Sequence, residues 1–440
     1  MASVSNNTVI ELFKNVYGGM HDLVPDDQLL GKDIGWKDGQ KVGTTFIEDV
    51  VLGNEVGISL GGTGQDAFEI DSAIAGAVKQ TSVAPYVSIL PSVLPFATVS
   101  RSAGGGEKAF LSATKFIVKN NLKSHNKFME IFRLYGQAAG LLGYVSYATA
   151  TYRGVALTTG TGTINGIAFT NGINAASKAI LFQPGSFAAG MWVGMKGVKV
   201  NQVDSTGAIV ASGKLVTVAA QYGYVTVDFT PTAASSATSH RLCFNKMETA
   251  SEQVGINNIL STSGTLFGIV NTTYELFKGS ATALGSVKLT LARIQDAMAN
   301  AVNGGGADGD VVLYCNPRSW ATLATTEAGL RVYDKSYQEG QAKNGFMDLE
   351  FYTQTGKITV KAHRCVKEGE AYILSLDSWS RSGSAQVGFN VPGMEGDNDL
   401  IRALENQAGY QFKSYSDEYT FCHSPAKSII VTGINDESST

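Results

Sequence analysis

The sequence predicts a mixed α+β chain, and three observations carry that prediction. Two segments keep helical periodicity, one at residues 122–135 and one at residues 291–302. Between them, residues 154–244 alternate apolar and polar positions in short runs separated by Gly, Asp-Ser and Pro-Thr turns, as short strands do. Strand, helix, β-rich stretch, helix, strand, helix and strands then follow without any internal repeat, an order typical of α+β architecture.

Along the chain, residues 7–16 place Val9, Ile10, Leu12, Phe13 and Val16 on one helical face, with Asn6 or Asn7 as cap. Residues 18–106 have little helical period. They hold Gly61, Gly62 and Gly64, a strand-like VSILPSVLPFATV, and then Gly104, Gly105 and Gly106. Such a stretch is extended and glycine-hinged, and does not make a compact domain alone. Residues 111–119 alternate as a strand does. Asn120 or Asn121 then opens a helix in which Leu122, Met129, Phe132 and Tyr135 keep helical spacing. Gly136, Gly140 and Gly143 weaken its far end or admit another backbone closely. Residues 154–244 read as a small all-β module, with strands in MWVGMKGVKV, GAIV, KLVTVAA, YVTVDF and HRLCF. The module reads as an insertion, because helical pattern resumes after it. Thr290 is the expected cap of the second helix, Leu291, Ile294, Met298 and Val302 form its stripe, and Gly304, Gly305 and Gly306 end it. Residues 311–315 form a buried-type strand, and Asn316-Pro317 starts a short helix with Trp320 and Leu323. Residues 357–362 and 371–376 are strand-like, and the closing YQFKSYSDEYTFCHSPAKSIIVTGI supplies two or three further strands.

Composition narrows the function. Only 16% of the 440 residues are charged, against about 25% in ordinary soluble proteins, while 44% are hydrophobic. The chain can build a large core but is short of charge for a solvated surface. A net charge of −4 argues against a basic nucleic-acid binder and against a polyacidic tail protein. The first residues lack the basic and apolar regions of a secretory signal, and no window of 18 apolar residues would span a membrane. Cys243, Cys315, Cys365 and Cys422 are far apart with no CxxC pair, and read as reduced, mostly buried thiols.

No catalytic, cofactor or metal site emerges. Gly207, Gly213 and Lys214 have the wrong spacing for a phosphate loop and lie between strands. The GxGxxG letters ending at Gly309 follow a helix and precede a strand, the reverse of the dinucleotide-binding order, and read as a helix stop. Gly57-Ile58-Ser59-Leu60-Gly61 has the letters of a nucleophile elbow without a helix after it. Among His21, His125, His240, His363 and His423, only the last neighbours a cysteine, Cys422, and adjacent strand residues face opposite ways. His125 reads as a partly exposed helix residue. Asp296, Asp308 and Asp310 read as a helix-surface carboxylate and a Gly-Asp turn, and Asp26-Asp27 as turn chemistry. Lys115, Lys119, Lys123 and Lys127, spaced by four and followed by Arg133, read as a solvated or inter-subunit face rather than a phosphate-binding stripe.

Several stretches, in order over some 300 residues, resemble the tailed-bacteriophage major capsid proteins of the Hong Kong 97 type. They are SHNKFMEIFRLYGQ, ending in Leu-Tyr-Gly; QPGSFAAGMWVGM, like the opening of a β-insert in one branch; DVVLYCNPRSWATL; GKITVKAHRCVKEGEAYILSLDSWSR; and FCHSPAKSIIVTGI. The first hundred residues match in character, as an arm followed by an extended region. The resemblance implies an N-terminal arm (residues 1–50), an extended loop region (51–120), a long helix of a peripheral domain (121–153) and an inserted β-rich domain (154–248). An axial domain with adjoining peripheral elements (249–400) and C-terminal peripheral-domain strands (401–440) complete it. It implies a subunit that self-assembles through hexamers and pentamers into an icosahedral shell around double-stranded DNA. The arm and loop would reach over neighbouring subunits. Portal and decoration proteins are the further partners it implies, with DNA contacted non-specifically, no cofactor, no membrane, and assembly in the host cytoplasm into a virion. Because the sequence begins at Met1, a separate scaffolding protein is expected in place of a large cleaved segment. Some relatives join Lys to Asn covalently, and no stretch here designates such a pair.

The residues agree with that picture independently. A charge-poor, glycine-hinged chain with extended segments is suited to burial against copies of itself, since interface cores are depleted in charge and extended segments can pair with neighbours. Mild acidity suits a shell that holds DNA without gripping it. Gly61, Gly62, Gly64, Gly104, Gly105 and Gly106 are the expected loop hinges. An encapsulin-like compartment shell is the alternative of the same fold, distinguished by a cargo enzyme. A β-rich surface adhesin lacks support from the two strong helices, and an enzyme lacks a site.

Overall fold

The computed structural model describes residues 28–42, 44–60, 63, 70, 72–95, 107–137, 143–146, 150–152, 155–236, 240–249, 251–304, 306, 309–326, 349–389, 402–404 and 409–436. The expected helix at residues 7–16 and all six hinge glycines lie outside these. A short helix, Leu29–Asp33, leads into an antiparallel sheet of β1 (Gln40–Val42), β2 (Thr45–Val51) and β3 (Val78–Val83), in that order. The strand expected in VSILPSVLPFATV is β4 (Tyr86–Pro95).

Next comes one helix of 29 residues, Glu107–Tyr135. The strand expected at residues 111–119 is therefore helix. A short apolar run fits both a period of two and one of 3.6. No Gly or Pro occurs between Glu107 and Tyr135, so nothing breaks a helix propagating through Ala, Leu, Lys and Glu. Asn121, expected near the cap, sits mid-helix, and its Nδ2 donates to the Leu90 carbonyl (3.1 Å) and to Ser92 Oγ (2.8 Å) on β4.

The helix stops at Gly136 for a local reason. A Cβ there would lie 1.9 Å from the Gln253 carbonyl oxygen, so only glycine admits the segment that crosses it. Gly255 N–H donates to Gly136 O (2.9 Å), and Gln137, left-handed at φ 59°, donates its N–H to Glu252 Oε1 (2.8 Å). The Gln137 side chain donates to Glu252 O (2.6 Å). The two ends of the intervening stretch thus meet at one point.

That stretch is β-rich, as expected. It holds β5 (Ala150–Tyr152), β6 (Val155–Leu157), β7 (Gly162–Ile164), β8 (Ile167–Phe169), β9 (Ile173–Asn174), β10 (Ala179–Leu181), β11 (Lys199–Asp204), β12 (Ile209–Ala219), β13 (Tyr224–Val227) and β14 (His240–Phe244). Six of these form one sheet, ordered β14-β11-β12-β13-β10-β9. Two details differ from expectation. GAIV and KLVTVAA are one strand, β12. MWVGMKGVKV is not a single strand. Ala189–Trp192 is a helical turn, and Gly194 (φ 80°) and Gly197 (φ 86°) break the run before β11. The sheet shares its core with the long helix, where Phe244 meets Phe128 edge-on (5.3 Å) and Trp192 packs on Phe182 and Phe244.

After the junction come a turn of helix, Ile256–Ile259, and a hairpin of β15 (Thr265–Leu266) and β16 (Ile269–Val270). The remaining strands are β17 (Ser280–Val287), β18 (Val311–Cys315), β19 (Leu349–Tyr352), β20 (Lys357–Ala362), β21 (Glu370–Leu374), β22 (Trp379–Gly388), β23 (Arg402–Ala403), β24 (Gly409–Cys422) and β25 (Ile429–Ile434). A mixed sheet, β17-β25-β21-β18-β20-β19, buries one face under the helix Leu291–Asn303. Ile294, Ala297, Met298 and Ala301 are that helix's buried stripe, and Leu291 and Val302 flank it half-buried. Thr290 takes the extended N-cap conformation without a side-chain cap bond, and Gly304 stands at the C-cap. Asn316 Oδ1 accepts the Arg318 N–H (3.0 Å), capping the helix Pro317–Thr326 as the Asn-Pro pair predicts. The 14-residue β24 lies between β4 and β22, forming the floor for the long helix.

Gly136→Val should destabilise the protein by about 3 kcal/mol in urea unfolding, because the crossing backbone has nowhere to move. Gly304→Ala, whose methyl meets nothing nearer than 3.5 Å, should stay within about 1 kcal/mol of the parent.

Candidate assembly surface and its anchor

β2 and β3 are anchored at their base and bare beyond it. Phe46, Val50, Leu52 and Val83 are buried in the main core, and Phe46 packs on Tyr419 of β24 (5.2 Å). Leu52 N–H donates to Ala77 O (2.7 Å), and Val56 and Ile74 exchange backbone bonds of 3.0 and 2.8 Å. From there the loop exposes Val56, Ile58, Leu60, Ile70 and Ile74, with Ile58 81% and Leu60 83% accessible. Nine of the sixteen exposed large hydrophobics among the described residues fall between Val51 and Ile89. Scattered exposed apolar residues are ordinary, but a contiguous concentration marks an interface. Covering each such side chain stabilises by about 1.5–3 kcal/mol. Residues 43–78 also carry Glu48, Asp49, Glu55, Asp66, Glu69 and Asp71 with no Lys, Arg or His, a feature that composition of the whole chain conceals.

A buried charge cluster ties the segment before this loop to the body. Glu130 and Arg133, one helical turn apart, face inward from the long helix. Glu130 accepts the backbone N–H groups of Leu30 (2.5 Å) and Gly31 (3.2 Å). Arg133 bridges Glu130 (3.0 Å) and Glu418 of β24 (2.6 Å). Arg381 of β22 donates to the Ile34 and Gly31 carbonyls (2.9 and 2.6 Å), with Glu418 3.6 Å away. His363, just after β20, meets Glu130 Oε1 at 3.1 Å. Its Nδ1 accepts the Cys365 N–H, which places the ring proton on Nε2, toward the carboxylate. Burial works against ionising Glu130, but the His363 bond and the Arg133 charge outweigh it and hold the carboxyl below its usual range. Burial likewise opposes the Arg133 charge, and Glu418 and Glu130 overcome it to raise its pKa.

His125 lies one helical step further up, 2% accessible rather than partly exposed as its sequence position implied. Its two ring nitrogens meet Ser88 Oγ on β4 (2.7 Å) and Ser414 Oγ on β24 (2.8 Å), so it staples the helix to two strands. Burial, then the Arg133 charge, lower its pKa from 6.5 to about 4. The lysine stripe is likewise divided by the fold. Lys119 is exposed, but Lys127 is buried with Nζ donating to Val193 O (2.5 Å), and Arg133 belongs to the cluster. A turn that brings four residues to one face cannot say which part of that face is covered.

The remaining candidates stay apart. Ser59 is in the loop, where Gly57 at φ 128° replaces an elbow geometry. Asp296 is exposed on its helix, Asp310 Oδ1 accepts the Lys357 N–H (2.8 Å), and Asp308 lies outside the described residues. Lys214 sits inside β12, beside Gly213. The four cysteines are buried and form no disulfide, and burial pushes the thiols of Cys243, Cys315 and Cys422 up to about 12. Among the described residues no helix is long and apolar enough to cross a membrane. The Glu130–Arg133 spacing was visible in the sequence, but the partners Glu418, Arg381 and His363 lie too far along the chain to be paired from it.

Arg133→Met should cost about 3–5 kcal/mol in denaturant unfolding, because it strands two buried carboxylates. His125 binds its proton more weakly folded than unfolded, so stability is complete above pH 6.5 and declines as pH falls toward 4. At 1.36 kcal/mol per unit the loss approaches about 3 kcal/mol. His125→Gln should flatten the unfolding free energy over that interval by a similar amount.

No family model matches the sequence, and no curated protein matches it. Solved structures do. The capsid asymmetric unit of cyanophage A-1(L) is 12% identical, with a TM-score of 0.51 over 95% of each chain. A chain of Mycobacterium phage Adephagia matches at 9% identity and TM-score 0.43 over the full length of both. The holo-SrpI encapsulin complex from Synechococcus elongatus matches at 6% and 0.42, over 100% of this chain and 99% of that one. On the first of these likenesses, which runs nearly end to end, the chain has the phage capsid fold of the Hong Kong 97 type.

Proposed function

We propose that this chain is a major capsid protein, the subunit that assembles itself into the icosahedral head shell of a tailed bacteriophage around double-stranded DNA. The end-to-end likeness to the cyanophage A-1(L) capsid subunit carries the reading. The exposed apolar loop supports it, because no described residue covers Val56, Ile58 and Leu60. In this reading residues 28–37, strapped by the charge cluster, belong to the arm, and residues 53–76 are the tip of the extended loop. The long helix with β4, β22 and β24 is the peripheral domain, the mixed sheet with its two helices the axial domain, and the β-rich stretch an insertion. Hexamers and pentamers of the chain are its first partners; scaffolding, portal and decoration proteins follow from the same role, and the packaged DNA is contacted without sequence preference. Assembly takes place in the host cytoplasm and the product is the virion shell. The chain performs no catalysis in this role.

The purified or co-expressed protein should form closed shells of hexamers and pentamers in negative-stain micrographs, and a species monomeric under every assembly condition would overturn the reading. Replacing Gly104, Gly105 and Gly106 by valine should cut particle yield while the subunit keeps its thermal unfolding transition, if these residues hinge the loop. Particles formed at the parent yield would refute that role.

A further inference from the structure

In an Asn-Gly pair the asparagine carboxamide is least shielded from the next backbone nitrogen, because glycine carries no side chain. The sequence holds Asn165-Gly166, Asn171-Gly172, Asn303-Gly304 and Asn344-Gly345, the last outside the described residues. The fold treats the other three differently. Asn165 and Gly166 are the two-residue turn between β7 and β8, where Ile164 and Ile167 stand directly opposite each other. Both are left-handed, at φ 51° and 74°, the type I′ geometry that Asn-Gly favours. Both are exposed, and nothing lies within 4 Å of a Cβ placed on Gly166. The Gly166 N–H makes no hydrogen bond among the described residues. The Asn165 side chain leans on the hairpin, its Nδ2 donating to Tyr224 Oη (3.1 Å).

The other two pairs are held. Gly172 is buried, its N–H donates to Gly160 O (3.0 Å), and a Cβ there would run into Ser146 O. Asn303 is exposed at the end of its helix, but the Gly304 N–H donates to Asn300 O (3.0 Å) and keeps that peptide in helical orientation.

We propose that the fold selects Asn165 for spontaneous deamidation, by which water converts this neutral amide into a carboxylate. Gly166 N gives its proton to solvent base and bonds to Asn165 Cγ. The Cγ–Nδ2 bond breaks, and ammonia leaves with a proton taken from solvent. Water then opens the cyclic imide at either carbonyl, giving aspartate or isoaspartate, and no oxidant or reductant is needed. Attack requires the peptide joining Asn165 to Gly166 to swing toward the carboxamide. The empty space around Gly166 lets the turn open locally while β7 and β8 stay paired. Asn171 and Asn303 must first lose the hydrogen bond that fixes the corresponding peptide. Either product places a negative charge in residues 154–177, which carry none. Isoaspartate also adds a main-chain carbon to the turn, beside the small core of Ile164, Phe169 and Tyr224. This chemistry is independent of the shell reading.

Peptide mapping by mass spectrometry tests it, on the purified folded chain incubated at mildly alkaline pH in water enriched in heavy oxygen. Label taken up marks conversion during the incubation. It should enter at Asn165 at least about tenfold faster than at Asn171 or Asn303, the factor that about 1.4 kcal/mol of local protection imposes. In urea, where the turn, the packing and the helix are gone, the three rates should converge. Label entering Asn165 no faster than the other two in the folded chain would overturn the proposal. A preference for Asn165 that persists unchanged in urea would also overturn it, since the fold would then not be what selects the site.

Discussion

Everything in this subunit turns on placing two carboxylates and two guanidiniums out of water beside the long helix. Glu130, Arg133, Arg381 and Glu418 would each be costly to bury alone, and together they pair opposite charges and bond the backbone of residues 30–34. Apolar packing could hold the helix to its floor, but it is indifferent to small sliding. The cluster is not. Its bonds fix the register of the helix against β24 and β22, and the same atoms fix where the N-terminal segment crosses them.

Register set in this way determines what the loop can be. β2 and β3 start from a buried base beside Tyr419. Exposed aliphatic side chains at Val56, Ile58, Leu60, Ile70 and Ile74, within an acidic stretch of sequence, are poorly suited to a lone chain in water. The low overall charge fits this division, since the body needs little charge to fold and six carboxylates are concentrated in residues 43–78.

Periodicity exposed the two helices, the β18 strand, the Asn-Pro helix start and the β-rich middle, because each is decided by residues within one or two turns of one another. The strand expected at residues 111–119 is helix because nothing local distinguished the two periods there, and the absence of Gly or Pro out to Tyr135 was the deciding signal. Gly136 was legible as a place of close approach, though not that Gln253 makes it. His125 was misplaced for a different reason. Burial of one helical position depends on Ser88 and Ser414, residues 37 and 289 positions away. The charge cluster shares that difficulty, since Glu418, Arg381 and His363 lie hundreds of residues from Glu130 and Arg133. The loop's acidity needed no structure at all, only a count over the right window, and the fold is what identified that window.

The clamp also orders events in time. It joins residues 30–34 to Glu130 and Arg381, and through Arg133 reaches Glu418, contacts of very large sequence separation. During synthesis the N-terminal segment therefore waits, unlocked, until nearly the whole chain has left the ribosome. A truncated nascent subunit lacks β24 and so has no floor on which to seat the helix or fix the loop. The anchored N-terminal segment and the base of the loop thus take their places late and together, once β24 has been made.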